Sequence, residues 1–291
     1  MAPKQLVRVV LWMTGALLSF SGMAISVRQL AGTVSIMEIL TLRAGIGVVV
    51  LAALAVAQPH LRKLIFTRQL PLHLFRNTIH LGGTYLWAMA IVLLPLATVF
   101  SLEFTAPGWT LLLAWLVLHE RLTPSRIGAV VLGLIGVLVI VRPGLTTFQP
   151  AALLVLGAAL TFAVTQITTK KLTHTDSTFT IVFWMMAIQL PLAYAASDPL
   201  FVTKLGLPQL PAVIGIGATG LTSHYCLTNA FRWGDASVVM PLDFMRIPLI
   251  AVIGWWFYGE GLDVFVFVGA GLIIAGILWN LRSEARRLAT K

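Results

Sequence analysis

GALLSFSGMAISVRQLAGTVSIMEILTL, residues 15–42, returns 142 residues later as GAALTFAVTQITTKKLTHTDSTFTIVFW, residues 157–184. The two stretches agree without a gap at 9 of 28 positions, including Gly15/Gly157, Ala16/Ala158, Phe20/Phe162, Thr33/Thr175 and Ser35/Ser177. Further on, residues 85–141 and 225–281 agree at 11 of 57 positions at an offset of 140, through Tyr85/Tyr225, Trp115/Trp255, Glu120/Glu260, Leu122/Leu262 and Gly136/Gly276. An offset that moves by so little over most of the chain is the mark of a duplication. It divides the chain into residues 1–145 and 146–291 within one integral membrane domain.

The membrane setting follows from composition. With 58% hydrophobic residues, 10% charged residues and a mean hydropathy of +0.94, the chain lies outside the range of soluble globular domains. Apolar runs long enough to cross a hydrocarbon core as helices are predicted at 7–27, 36–57, 73–94, 97–118, 124–141, 150–170, 177–197, 209–231, 236–258 and 263–281. The expected fold is therefore an all-α integral membrane protein of ten transmembrane helices. Five spans per copy set the second half upside down relative to the first, and such inverted repeats point to transport. The linkers, the longest being 58–72 and 198–208, leave no chain for a soluble domain.

A net charge of +10 would suggest nucleic acid in a soluble protein, but in a membrane the position of each cation matters more. With the N-terminus inside, fourteen Lys and Arg, from Lys4 and Arg8 through Arg121, Arg126, Lys170 and Lys171 to Arg287 and Lys291, lie on the cytoplasmic side. Only Arg28, Arg142 and Lys204 lie outside, and Arg43, Arg76 and Arg246 fall within spans. Both termini are thus expected in the cytoplasm of a cell whose plasma membrane, a bacterial inner membrane, holds the protein. Lys4 and Arg8 before an apolar stretch also fit a signal peptide, but the stretch exceeds a usual h-region and belongs to the repeat, so it is expected to be retained. Cys226 is the single cysteine, which excludes a disulfide framework or a cysteine metal site.

Each half has its sharpest signature at the fourth loop. The first reads Pro107-Gly108-Trp109 through Trp115 to His119-Glu120-Arg121-Leu122, followed by a Gly-bearing span; the second runs from Pro248 through Trp255 to Gly259-Glu260-Gly261-Leu262, again before a Gly-rich span. On these residues the chain resembles the drug/metabolite transporter superfamily, specifically its EamA-like ten-helix branch, over nearly its whole length. His119 departs from the glycine usual before the glutamate, and Pro248 lies one position off the repeat partner of Pro107. The resemblance implies two inverted five-helix halves, cytoplasmic termini and movement of small metabolites, often amino-acid export. Among such exporters the chain is similar to the aromatic amino-acid group, so a large neutral or aromatic amino acid is the expected solute. A drug, nucleobase or sugar carrier of the same fold is the alternative. No P-loop, G-x-S-x-G or H-E-x-x-H pattern occurs, so a gradient rather than nucleotide would drive transport and no enzyme is expected. Neither cofactor, metal nor nucleic-acid partner is expected; the lipid bilayer and the solute are the expected partners, and monomer and homodimer both remain open.

An ionisable group within a span faces a cavity or a partner. His73, Arg76, Asn77, His80 and Thr84 recur on one helical face, which either lines the solute path or packs as a polar seam; His80 and Thr84 lie deepest. The repeat partner of Thr84 is His224, so two imidazoles, each able to donate, accept or titrate near neutral pH, stand at related depths. Ser19, Met23 and Ser26 match Thr161, Thr165 and Thr168, a stripe that serves helix packing or cavity lining. Phe20/Phe162 and Tyr85/Tyr225 fall near mid-membrane, where an aromatic pocket would accept a flat side chain, unless the rings only fill the bundle. Glu103 and Asp243 are repeat partners; Arg246 follows Asp243 by three residues and can neutralise it, whereas Glu103 has no local cation. Ser19, Phe20, Asn77, His80, Thr84, Tyr85, Glu103, Thr161, Phe162, Thr165, His224, Tyr225, Asp243 and Arg246 are therefore the candidate substrate-binding residues, with no catalytic ones. Gly128, Gly133, Gly136, Gly269, Gly271 and Gly276 are expected to bring the fifth and tenth spans close together.

Overall fold

The computed structural model describes residues 3–93, 99, 102–141, 150–258 and 264–289. Arg142, Lys291 and the loop of Gly259, Glu260, Gly261 and Leu262 lie outside the described residues. The chain is all-helical: α1 (Pro3–Leu30), α2 (Ile36–Ala57), α3 (Pro59–Lys63), α4 (Leu70–Leu93), α5 (Ala106–Leu118), α6 (Pro124–Val141), α7 (Ala152–Leu172), α8 (Thr178–Tyr194), α9 (Leu210–Trp233), α10 (Ala236–Val239), α11 (Arg246–Tyr258) and α12 (Val264–Ala289). Among the described residues, Gln5–Val27, Ile36–Ala57, Ala152–Leu172 and Val264–Arg287 are long and apolar enough to cross a membrane. Ala106–Leu118, Pro124–Ile140 and Thr178–Tyr194 are apolar but shorter.

The conserved spacing of the duplication has local causes. Ser35 caps α2, accepting from Glu38 N at 3.3 Å while Glu38 Oε2 accepts from Ser35 N at 2.6 Å, a capping box that satisfies two otherwise orphaned amides. Ser177, its repeat partner, caps α8 by accepting from Thr180 N at 3.0 Å. Each serine thus marks where the second helix of its copy must start.

The predicted spans 97–118 and 236–258 are not continuous helices. α5 begins only at Ala106, after a turn at Phe104 and Thr105 and with proline in its first turn. Its counterpart is divided into α10, a 3-10 segment over Met240–Met245, and α11. Proline lacks the N–H that continues a ladder, and Pro107, Pro241 and Pro248 stand at these breaks. Glu103 lies just before one break and Asp243 within the other.

α1 packs on α9, α4 on α7, α2 on α8, and α6 on α12. Exchanging the two copies turns the first of these pairs into the second. The α1–α9 seam is built from small residues: an added Cβ at Gly15 would meet Cys226 Sγ at 3.0 Å and one at Gly22 would meet Thr219 at 3.0 Å. Such small-residue ridges let membrane helices approach closely where hydrophobicity alone cannot select a partner. Gly128, Gly136, Gly269 and Gly276 bring α6 and α12 together as expected, Gly136 and Gly269 each lying against the other's carbonyl oxygen, whereas Gly133 packs against Phe244 and Gly271 faces open space.

A charged network ties the two copies at the end where α5 stops. Arg126 donates to Glu284 Oε1 and to Asp235 Oδ2, both at 2.9 Å, and to Ser237 Oγ at 2.7 Å. Glu120 accepts from the amides of Ala236 and Ser237 at 2.9 and 3.0 Å, an anion at the opening of α10. The loop glutamate therefore latches the broken helix of the other copy. His119 before it adopts φ 54° and ψ 31°, left-handed backbone that accounts for the glycine usual there and retained as Gly259. His119→Gly is expected to stabilise the protein by about 1 kcal/mol, since a non-glycine residue pays roughly 1–2 kcal/mol in this region; a thermal melt in detergent that fails to rise would contradict it.

Candidate functional site

The polar face of α4 divides in two. At its lower end His73 Nε2 lies 2.7 Å from Asp176 Oδ2. Arg76 donates to Thr169 Oγ1 at 2.6 Å and to Asn77 Oδ1 at 2.7 Å, and Asn77 Nδ2 reaches the Trp184 carbonyl at 3.4 Å. This end is a seam against α7 and α8. Asn77, expected to touch solute, spends its amide within that seam.

One turn deeper His80 enters a different environment. Gln189 Oε1 accepts from the Arg43 guanidinium at 2.8 Å, so the amide nitrogen of Gln189 faces His80 Nδ1, also at 2.8 Å. That assigns Nδ1 as acceptor and leaves the His80 proton on Nε2. The His80 ring stands 5.5 Å from His224, edge to face, and 5.9 Å from Phe162. His224 in turn stands 5.7 Å from Phe20, again edge to face. α4, α9, α7 and α1 thus each supply one ring.

Beyond Phe20 the file ends on charge. The Arg246 guanidinium lies 5.7 Å from the Phe20 ring and 5.0 Å from Phe104, within cation–π range. It bonds Asp243 Oδ2 at 2.9 Å and approaches Glu103 Oε1 at 3.5 Å. Trp87 Nε1 holds the other Glu103 oxygen at 2.7 Å. Glu103 was expected to lack a cation; the fold supplies Arg246 from the other copy, because the two helix breaks meet. This cluster is built from both halves and unites Phe20, His80, Glu103, Phe162, His224, Asp243 and Arg246.

The remaining candidates make other contacts. Tyr85 is 49% exposed and shares an outward stripe of α4 with Leu74, Phe75, Met89 and Leu93; Tyr225 is 40% exposed on the corresponding stripe of α9 with Ile214. Successive helical residues are turned by about 100°, so the neighbour of an inward Thr84 or His224 points away. Tyr225 packs edge-on against Trp12 at 5.9 Å instead. Ser19 accepts from Thr222 Oγ1 at 2.9 Å across the α1–α9 seam. Thr84, Thr161 and Thr165 bond carbonyls of their own helices, and Thr161 fills the space beside Gly83. Thr84, Thr161 and Thr165 thus bond within their own helices and Ser19 across the α1–α9 seam.

Gln189, Trp87 and Phe104 were not anticipated. Gln189 alone was signalled, as the one amide in the apolar run of α8; the indole and phenyl groups resemble ordinary bundle residues in sequence. Among the described residues no group of three His, Cys, Asp or Glu is placed to hold a metal ion. Two open surface depressions, one beside Trp115, His119 and Arg121 and one along Leu278, Trp279 and Arg282, share no residue with the cluster.

The sequence profile of the EamA-like transporter family matches residues 7–142 and 149–282. A riboflavin transporter of Rhizobium johnstonii is 31% identical over 219 residues, covering 74% of this chain and 71% of that protein. An S-adenosylmethionine uptake transporter of Rickettsia felis is 25% identical, covering 75% and 74%. The pseudopaline exporter CntI of Pseudomonas aeruginosa is 26% identical, covering 91% and 93%. One solved crystal structure superposes with a TM-score of 0.80 at 18% identity, covering 96% of this chain and 98% of its own, which is likeness of fold.

Proposed function

Since this chain belongs to the EamA-like transporter family, we propose that it carries a small ring-bearing metabolite across a bacterial inner membrane by alternating access. Two inverted five-helix halves, residues 1–145 and 146–291, rock about a midplane site, with both termini in the cytoplasm. The exchange of helix partners between the copies supports that reading, as does the excess of Lys and Arg in the loops assigned to the cytoplasmic side. Transporters commonly form their sites where discontinuous helices of the two repeats meet.

The observation that carries the proposal is the file His80–His224–Phe20–Arg246, drawn from both halves and ending at two helix breaks. Its rings offer edges and faces to a flat solute, its imidazoles offer donors and acceptors, and Glu103 and Asp243 offer acceptors at one end. Riboflavin and S-adenosylmethionine, named for two relatives, contain flat heterocycles; the large aromatic amino acids present the same surface. These are the two solute classes that the test below compares.

Counterflow from proteoliposomes preloaded with riboflavin or with L-tryptophan tests it. At least one ring-bearing solute is expected to exchange, and Phe20→Ala to slow that exchange about tenfold, equivalent to about 1.4 kcal/mol, while the folded yield stays normal. Absence of exchange for both solutes, or equal competition by alanine and glucose, would defeat the proposal.

A further inference from the structure

Among the described residues, Arg43 has no partner that cancels its charge. It lies about two turns into α2 and is 4% exposed; one terminal nitrogen reaches Gln189, and its Nε has no hydrogen-bond partner. Its stem occupies space that α9 leaves open, since a Cβ on Gly220 would stand 2.5 Å from Arg43 Cγ. There Gln189 links it to His80, accepting from Arg43 at 2.8 Å while its amide nitrogen meets His80 Nδ1 at 2.8 Å. Among the described residues no carboxylate lies within ion-pair distance of Arg43 or Arg76. The donors of Arg76 are engaged by Thr169, Asn77 and the Met185 sulfur; those of Arg43 are not all engaged.

The cluster is therefore polarised. Arg246 at one end faces two carboxylates, Glu103 and Asp243, whereas Arg43 at the other faces the neutral Gln189 amide, which joins it to His80. A charge within a membrane protein is costly unless it is paired, and a buried donor without an acceptor adds a further cost. A guanidinium presents a planar fork whose natural complement is a carboxylate.

We propose that Arg43 is the recognition group for a carboxylate on the transported solute, oriented by Gln189 and joined through it to His80. The solute's ring then lies along the imidazole and phenyl file, and its donor groups reach toward Glu103 and Asp243. This rests on the reading of that file as the solute site. It selects, among ring-bearing metabolites, those that carry an acid.

Calorimetric titration of the purified full-length protein with indole-3-acetate and indole-3-acetamide, which share a ring and differ in the acid, tests the assignment. The wild type is expected to bind the acid at least tenfold more tightly than the amide. Arg43→Met is expected to lose that preference, the ratio of acid to amide affinity falling to within about twofold of one. Equal binding of acid and amide by the wild type overturns the role of Arg43, with no variant needed; so does a preference that survives in Arg43→Met. Equal binding that is lost on Phe20→Ala leaves the ring site standing without the carboxylate subsite, whereas binding of neither probe overturns both.

Discussion

Arg126→Met is expected to lower the stability of the folded protein by about 3 kcal/mol, toward the lower end of the roughly 3–5 kcal/mol found when one member of a buried ion pair is removed. Arg126 and Glu284 have side chains 4% and 5% exposed and join α6 to α12 at 2.9 Å. Without the guanidinium, the Glu284 carboxylate stays buried with only Arg287 at 3.2 Å, a residue 38% exposed, and Ser237 and the Arg121 carbonyl each lose a bond. That residual contact with Arg287 is what keeps the loss from the upper end of the range. Glu284→Gln should cost less, because its amide oxygen still accepts. The double change Arg126→Met with Glu284→Met should cost less than the sum of the two single losses, since no lone charge is left buried. Unfolding titrations in mixed detergent micelles measure these three together with the single Glu284→Met; simple additivity would show that the pair is not coupled.

Gly136→Val is expected to be at least as damaging. An added Cβ at Gly136 would lie 2.6 Å from the Gly269 carbonyl oxygen, and one at Gly269 would lie 2.5 Å from the Gly136 oxygen. The obstacle on each side is backbone, which cannot turn aside as a side chain can, so α6 and α12 must separate. Overpacking costs about 1–3 kcal/mol, and occasionally more where nothing yields. The segment Met240–Met245 packs on both helices, and Gly133 lies against Phe244, so separation also disturbs the turn that holds Asp243. A fall in both melting temperature and solute exchange is therefore expected. Gly271→Ala is the control, since nothing lies within 4 Å of its added Cβ; equal melting temperatures for Gly136→Val and Gly271→Ala would show that the α6–α12 approach is not tight.

Much of the site was legible because the duplication ranks residues by register. His224 stood out as the partner of Thr84, and Phe20 and Phe162 as matched rings; these meet. Tyr85 and Tyr225 match equally well across the copies yet face outward, because a repeat preserves a position on a helix without saying which way that position points. Asn77 likewise belongs to the right face of α4 but to the part of it consumed by α7 and α8. The helix breaks were only half visible: of the prolines well inside spans, Pro107, Pro241 and Pro248 stand at them but Pro191 lies inside the continuous α8, and hydropathy runs through the breaks undisturbed.

What the chain alone determined are properties set by local chemistry: apolar runs, serine caps at Ser35 and Ser177, prolines where helices stop, and a left-handed position that glycine usually fills and His119 occupies here. Register across 140 residues also belongs to it, since a duplication writes correspondence directly into sequence. What only the tertiary structure decided are the pairings over long separations. Arg246 finds Glu103 through space rather than along a helix, Gln189 links Arg43 to His80, and Arg126 reaches Glu284 between helices of different copies. Lipid rewards every apolar face alike, so partner choice inside a membrane falls to small-residue fit and to a few buried polar bonds, and these exist only once the helices are side by side.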